Sequence, residues 1–106
     1  LQRNWNTKMN TKMNTKIFES SGNVFTDLGF EPAEAAILQM RSTLMIDLRL
    51  YIQNNQLTQV EAAKILGISQ SRVSDLIRGK WMKFSLEMLI TLEARAGRKV
   101  QLSIAA

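Results

Sequence analysis

The side chains best suited to hydrogen bonding and ionic chemistry lie close together in the second half of the chain. Between positions 70 and 83 they are Gln70, Ser71, Arg72, Ser74, Asp75, Arg78, Lys80 and Lys83. The 106-residue chain has no His and no Cys, which excludes nucleophile–imidazole catalysis and nearly all zinc chemistry. No carboxylate pair or phosphate-binding glycine loop supports another kind of active site. The sequence therefore predicts a binding protein that is not an enzyme and has no metal or cofactor.

Charge is distributed unevenly along the chain, whose net charge is +5. Residues 1–16 carry four cations and no acid, residues 17–63 carry two cations and six acids, and residues 64–106 carry eight cations and three acids. A basic region next to an acidic one indicates two different partners, one of them polyanionic. The alternative is a surface whose charges serve only solubility. No apolar run approaches the ~20 residues of a membrane span, and no secretory signal pattern is present.

One long amphipathic helix is predicted before the polar residues. Pro32, between Glu31 and Glu34, is typical of a helix start, because proline suits the first position and acids suit the first turn. Apolar residues then recur at spacings of three and four, which predicts a helix to about Asn54. These apolar residues are Ile37, Met40, Leu44, Leu48, Tyr51 and Ile52.

Two short helices are predicted in the stretch LTQVEAAKILGISQSRVSDLIRGK, residues 57–80. Thr58 and Glu61 form a capping box for the first helix, which ends at Gly67. Ser69 caps the second helix. Two helices of about eight to ten residues joined by Gly-Ile-Ser are typical of a helix-turn-helix. The alternative is an ordinary helical hairpin, which does not explain the polar start of the second helix.

The C-terminal part is predicted to form a helix and then a strand. Residues 85–96 are apolar on more than one face, which indicates a helix buried on two sides or shared with another chain. Residues 99–105 alternate apolar and polar side chains, as a strand does. A lone strand needs a partner, either the strand-like segment around Val24 or its own copy in a second chain. The predicted homodimer contacts are Leu86, Leu89, Ile90, Val100, Leu102 and Ile104.

The stretch TQVEAAKILGISQSRVSDLIRG resembles the DNA-binding core of the XRE family, the Cro and phage-repressor type of helix-turn-helix. With GNVFTDLGF, RGKWMKFSLEMLITL and AGRKVQLSI, the similarity to small HigA-type XRE antitoxins extends over residues 21–104. The resemblance implies an all-α, Cro/repressor-like bundle of four to five helices with a short C-terminal β-strand. It implies a cytoplasmic, prokaryotic repressor that binds specific DNA, regulates its own operon and is the antitoxin of a type II toxin–antitoxin pair. The alternative is a stand-alone XRE-type regulator with no toxin.

The resemblance also implies roles for individual residues on a double-stranded DNA operator. The second short helix would lie in the major groove, where the Gln70 amide can pair with adenine. Asp75 would accept from a cytosine amino group, or would pair with Arg72 or Arg78 and stay off the DNA. The predicted base contacts are Gln70, Ser71, Arg72, Ser74 and Asp75. The predicted phosphate contacts are Thr58, Gln59, Arg78, Lys80 and Lys83.

The first 30 residues divide into two segments. Residues 1–17, with three NTK repeats, are predicted to be a disordered, low-complexity basic extension, with a phosphate-binding arm as the alternative. Residues 18–30 place apolar anchors among acids, which suits a basic protein partner. The resemblance implies a ribonuclease toxin of the RelE/HigB type, and the alternative is that the anchors join the domain's own core. These anchors are Phe18, Val24, Phe25, Leu28 and Phe30. Residues 31–106 are then the helix-turn-helix domain for DNA binding and dimerisation.

Overall fold

The computed structural model describes residues 23–105, which form α-helices joined by short loops. The helices are α1 (Val24–Asp27), α2 (Pro32–Asn54), α3 (Gln59–Leu66), α4 (Gln70–Ile77) and α5 (Leu86–Arg95), with a 3-10 turn at Trp81–Lys83. The prediction of an all-α fold with four to five helices is confirmed for this part of the chain. None of these helices is long and apolar enough to cross a membrane. The predicted basic extension, residues 1–17, lies outside the described residues.

The predicted C-terminal strand is wrong for the single chain. Residues 98–105 have no regular secondary structure. Their alternating side chains match a strand, but the backbone N–H and C=O groups of a strand must pair with a neighbouring strand. The segment around Val24 offers no such edge, because Val24–Asp27 is a helix. The sequence predicts two pairing partners for this segment. The segment around Val24 is excluded, so the remaining partner is the same segment in a second chain.

The described residues fall into two compact units, which divide between Gln39 and Met40. In the first, α1 is a single helical turn that begins after Asn23. The Asn23 side-chain oxygen accepts from the N–H of Phe25 at 2.8 Å, and its amide nitrogen donates to the C=O of Ala35 at 3.0 Å. Asn23 therefore caps α1 and connects it to α2. This cap explains why a stretch with strand-like residues is helical.

In the second unit, one hydrophobic core packs the later part of α2 together with α3, α4 and α5. Its buried side chains are Met45, Leu48, Ile52, Ala62, Leu66, Val73, Leu76, Phe84, Leu89 and Leu92. The two short helices contribute four of them at helical spacing, Ala62 and Leu66 from α3 and Val73 and Leu76 from α4. Because α3 and α4 both place side chains in this core, their mutual orientation is fixed. Their outer faces are therefore presented to solvent as one surface.

Candidate nucleic-acid interface

The start of α3 is held by a reciprocal pair of hydrogen bonds. The Thr58 hydroxyl oxygen accepts from the N–H of Glu61 at 3.1 Å, and the Glu61 carboxylate accepts from the N–H of Thr58 at 2.8 Å. This is the capping box that the sequence predicts, and it satisfies two N–H groups at the helix start. Gln59, the first residue of α3, lies half-buried at this positive end of the helix.

The turn between α3 and α4 is as short as predicted. Gly67 ends α3 with φ of +69°, a left-handed conformation that glycine adopts without strain. A Cβ atom at Gly67 would lie 3.1 Å from Nη1 of Arg95. That guanidinium donates to the C=O of Leu66 at 2.8 Å, so a side chain of α5 caps the end of α3. Ser69 then accepts from the N–H of Arg72 at 3.2 Å and starts α4.

Helix α4 has a buried apolar face and an exposed polar face. Val73 and Leu76 have no exposed surface. Among the predicted base contacts, Gln70 and Ser71 are exposed and the other three are half-buried. The first turn of α4 is therefore its most accessible part, as a helix that reads base edges with its N-terminal residues requires.

Two of the predicted DNA contacts lie side by side. The Gln70 amide nitrogen donates to the Gln59 side-chain oxygen across 3.5 Å, a long hydrogen bond that joins the first residues of α3 and α4. The other predicted phosphate contacts are exposed: Thr58, Arg78, Lys80 and Lys83. The structure thus brings the predicted base reader and a predicted phosphate contact together at one end of the surface.

The Arg72 guanidinium contacts the loop after α4. It donates to the C=O of Lys83 at 3.2 Å and lies 4.7 Å from the centroid of the Phe84 ring. The Phe84 side chain is only 1% exposed, so this cation–π contact is partly shielded from water. A base contact by Arg72, which the resemblance implies, would require the guanidinium to leave these partners.

Asp75 pairs with two lysines of the same loop. Its carboxylate lies 3.8 Å from Nζ of Lys80 and 3.5 Å from Nζ of Lys83. Asp75 thus forms an ion pair, but with Lys80 and Lys83 and not with Arg72 or Arg78, the partners that the alternative names. The reason is the end of α4, where Gly79 has φ of +74° and the N–H of Lys80 donates to the C=O of Asp75 at 3.0 Å. This Schellman turn brings Lys80 back over Asp75.

Residues 24–105 match a protein family described as a helix-turn-helix domain. The chain belongs to this helix-turn-helix family. It is 34% identical to a solved structure provisionally assigned as an XRE family transcriptional regulator, with a TM-score of 0.65, and the match covers 69% of this chain and 82% of that one. No curated protein matches the chain. The resemblance to XRE-type helix-turn-helix proteins is confirmed, and the HigA-type antitoxin interpretation stays a prediction.

The predicted dimer contacts of this helix-turn-helix protein differ in their burial. Leu89 has no exposed surface because it packs in the chain's own core, so its assignment as a dimer contact is wrong. Leu86 is half-buried and Ile90 is exposed on α5. The C-terminal residues are far more accessible, at 39% for Val100, 78% for Leu102 and 89% for Ile104.

The predicted toxin contacts are partly packed on one another. The rings of Phe25 and Phe30 lie edge to face with their centroids 6.1 Å apart. Val24 and Phe30 are each 38% exposed and Leu28 is 69% exposed. Phe18 lies outside the described residues. The first unit of the helix-turn-helix protein therefore keeps an accessible apolar surface around α1.

A buried carboxyl group, Glu93 on α5, is not among the residues that the sequence predicts to be functional. Glu93 is 1% exposed, and neither side-chain oxygen has a well-aligned hydrogen-bond partner among the described residues. Burial, and next the carboxyl group of Asp47 beside it, raise the pKa of Glu93 from 4.5 to about 8, although Arg98 acts in the opposite direction. A cleft of about 250 Å³ adjoins it, lined by Thr43, Leu44, Asp47, Arg98, Lys99 and Val100. The sequence indicates this burial only through spacing. Glu93 follows Leu89 by four residues, which places it on the apolar face of the helix.

No group of three His, Cys, Asp or Glu side chains that could hold a metal ion occurs within residues 23–105.

Proposed function

We propose that this helix-turn-helix protein is a sequence-specific DNA-binding transcriptional regulator that represses its own promoter as a homodimer. The observation that carries the proposal is the exposed polar start of α4, where Gln70 and Ser71 stand beside Gln59 on a helix whose opposite face is locked in the core. Exposed cations, at Arg78, Lys80 and Lys83, follow the C-terminal end of α4 and suit DNA phosphates. The family match supports the same function.

In the proposed complex, the first turn of α4 lies in the major groove and Gln70 pairs with an adenine. Gln59 contacts a phosphate at the positive end of α3. The long, 3.5 Å hydrogen bond from Gln70 to Gln59 favours one orientation of the Gln70 amide, with its nitrogen directed towards Gln59. A side chain that is ordered before binding loses less conformational entropy when it meets its base. Gln59 therefore both anchors the protein and orients the base reader.

Gln70→Ala should weaken binding to the operator by roughly 1–3 kcal/mol and relax the preference at one base position, because a bidentate base contact is lost. Footprinting on the protein's own promoter would locate the operator, and fluorescence anisotropy with duplexes substituted at each position would measure the preference. Gln53→Ala, which truncates an exposed glutamine of α2, is the matched control and should bind as the unmodified protein does. A promoter without any protected site, and binding that is weak and equal on all duplexes, would disprove the proposed function.

We propose further that the homodimer forms through the C-terminal segment, residues 99–105, paired with its copy. Three apolar side chains of this segment, Val100, Leu102 and Ile104, are exposed. Its backbone forms no regular secondary structure, so its N–H and C=O groups are available to a second strand. Pairing of two copies would satisfy those groups and cover the apolar side chains in one step. A two-fold symmetric dimer would then present two α4 helices to half-sites about one helical turn, ~34 Å, apart.

A second function, as an antitoxin, is favoured by the surface around α1. The exposed apolar residues there are Val24, Leu28 and Phe30, and the exposed acids next to them are Asp27, Glu31 and Glu34. Apolar anchors would give affinity for a basic ribonuclease toxin, and the acids would steer its approach. The packing of Phe25 on Phe30 supplies a fixed platform for such contacts. A stand-alone regulator is the function that is left if no toxin exists.

Co-expression with the product of the neighbouring reading frame tests the antitoxin function. We expect that product to be toxic alone, to be neutralised by the unmodified protein, and to escape neutralisation by Leu28→Asp, which puts a charge among the anchors. Met82→Asp is the matched control, since Met82 is 78% exposed in the loop after α4, outside the first unit. A neighbouring product that is harmless, or that Leu28→Asp neutralises fully, would contradict the antitoxin function and leave the plain regulator.

A further inference from the structure

We propose that Asp75 is a specificity-determining residue that acts through two lysines and touches no base. It holds Lys80 and Lys83 beside α4 and thereby limits the attraction of the protein to DNA of unrelated sequence. The inference rests on the proposed DNA-binding function and adds to it a reason why a carboxylate lies on the surface that faces DNA.

The first observation is the double ion pair. One Asp75 carboxylate faces two ammonium groups, with one oxygen 3.8 Å from Lys80 Nζ and the other 3.5 Å from Lys83 Nζ. The Asp75 side chain is 17% exposed, whereas the lysine side chains are 45% and 55% exposed. The carboxylate is thus partly covered by its partners and by the helix. A group in this position is poorly placed to accept a hydrogen bond from a cytosine.

The second observation is that the loop carrying these lysines is tied to α4 at several points. The N–H of Lys80 donates to the C=O of Asp75 at 3.0 Å. Arg72, one helical turn before Asp75, donates to the C=O of Lys83 at 3.2 Å and packs over the buried Phe84 ring. Asp75 and Arg72 therefore hold the loop from the same helix, through its lysine side chains and its backbone. The loop backbone that carries both lysines is therefore placed relative to the helix that would enter the groove, and the carboxylate attracts their ammonium groups towards it.

Held lysines affect specific and nonspecific complexes differently. In a specific complex α4 is seated in the groove, and ammonium groups already fixed beside it can meet phosphates with little further loss of side-chain entropy. In a nonspecific complex the helix is not fully seated, and binding depends almost wholly on phosphates. Lysines paired with Asp75 must then leave the carboxylate to reach those phosphates. Asp75 therefore weakens nonspecific binding more than specific binding. The ratio of the affinity for the operator to the affinity for unrelated DNA rises as a result.

The test is Asp75→Asn, which keeps the size of the side chain and removes its charge. On a scrambled duplex we expect binding about 5- to 10-fold tighter at 0.1 M salt and a salt slope steeper by about 0.9, the value of one added phosphate contact. On the operator we expect little gain, so the ratio of the two dissociation constants falls. Glu87→Gln, which changes the net charge equally at an exposed site of α5, should leave this ratio unchanged.

A protein in which both lysines are replaced shows whether Asp75 acts through them or through direct repulsion between its carboxylate and the DNA. With Lys80→Met and Lys83→Met in place, Asp75→Asn should no longer tighten binding to the scrambled duplex. The inference is overturned if Asp75→Asn still tightens binding to the scrambled duplex in that background. It is also overturned if Asp75→Asn alone leaves the ratio of the two dissociation constants unchanged in a protein that prefers its operator. In both cases the proposed function stands. If the unmodified protein binds operator and scrambled duplex equally, the proposed function is wrong and the inference falls with it.

Discussion

Glu93→Gln should stabilise the protein at pH 7 and flatten the dependence of its free energy of unfolding on pH between about 5 and 8. The Glu93 carboxyl group is 1% exposed, and burial together with the neighbouring Asp47 raises its pKa to about 8. In the unfolded chain the same group titrates near its ordinary value of 4.5. Between these two values the folded state holds one more proton than the unfolded state.

The sign of the effect follows from that extra proton. As the pH rises from 4.5 towards 8, the unfolded chain releases the proton of Glu93 while the folded chain keeps it. The free energy of unfolding of the unmodified protein therefore falls. The loss is at most about 1.4 kcal/mol per pH unit, and it levels off once Glu93 ionises in the folded state as well. Glutamine has the same shape and no proton to lose, so the slope that comes from Glu93 disappears. The gain at pH 7 should be about 1–3 kcal/mol, because the buried glutamine amide would itself lack hydrogen-bond partners and would cancel part of what removing the proton cost gains.

Urea unfolding at a series of pH values from about 5 to 9 measures both effects. Glu87→Gln, an exposed glutamate at the start of the same helix, is the matched control and should keep the slope of the unmodified protein. A Glu93→Gln protein that is less stable at pH 7, with the slope retained, would show that Glu93 is ionised in the folded state and stabilised by Arg98.

Signals within one helical turn predicted the candidate interface well. The capping box of Thr58 and Glu61, the left-handed Gly67 and the cap at Ser69 all lie where the sequence indicates. Each depends on residues no more than four positions apart, so the sequence contains the whole arrangement. The core positions of α4, Val73 and Leu76, follow from helical spacing in the same way.

Features that depend on distant parts of the chain were not predictable in the same way. Strand formation in residues 99–105 depends on a second strand to pair with. The alternating side chains of this segment do not show where that second strand would come from. Leu89 packs in the chain's own core, and an apolar pattern does not show whether a side chain's partner belongs to the same chain or to a second one. The cap that Arg95 places on Leu66 joins residues 29 positions apart. The pairing of Asp75 with Lys80 is an intermediate case, since the glycine between them predicts a Schellman turn and therefore their approach.

Deletion of residues 100–106 should weaken the dimer and lower affinity for the full operator by about 10²–10⁴-fold, because two half-sites would no longer be held by one linked pair of domains. The fold of each chain should survive. The residues of this segment are exposed from position 100 to position 105 and form no regular structure, and none of them belongs to the buried core. Binding to a duplex with a single half-site should therefore stay unchanged. Sedimentation measures the dimer, and anisotropy on the two duplexes measures the affinities.

The double substitution Leu102→Ser with Ile104→Ser keeps the chain length and removes two of the most exposed apolar side chains, so it should reproduce most of the loss. Loss of half-site binding as well would mean that the segment supports the helix-turn-helix itself rather than the dimer. An unchanged dimer after the deletion would move the interface to another surface. The long helix α2 would then be the next place to test, since Ile46 and Leu50 are 53% and 48% exposed one turn apart on it. Charged substitutions at those two positions, in the full-length chain, would then be expected to abolish the dimer and the cooperative binding of two half-sites together.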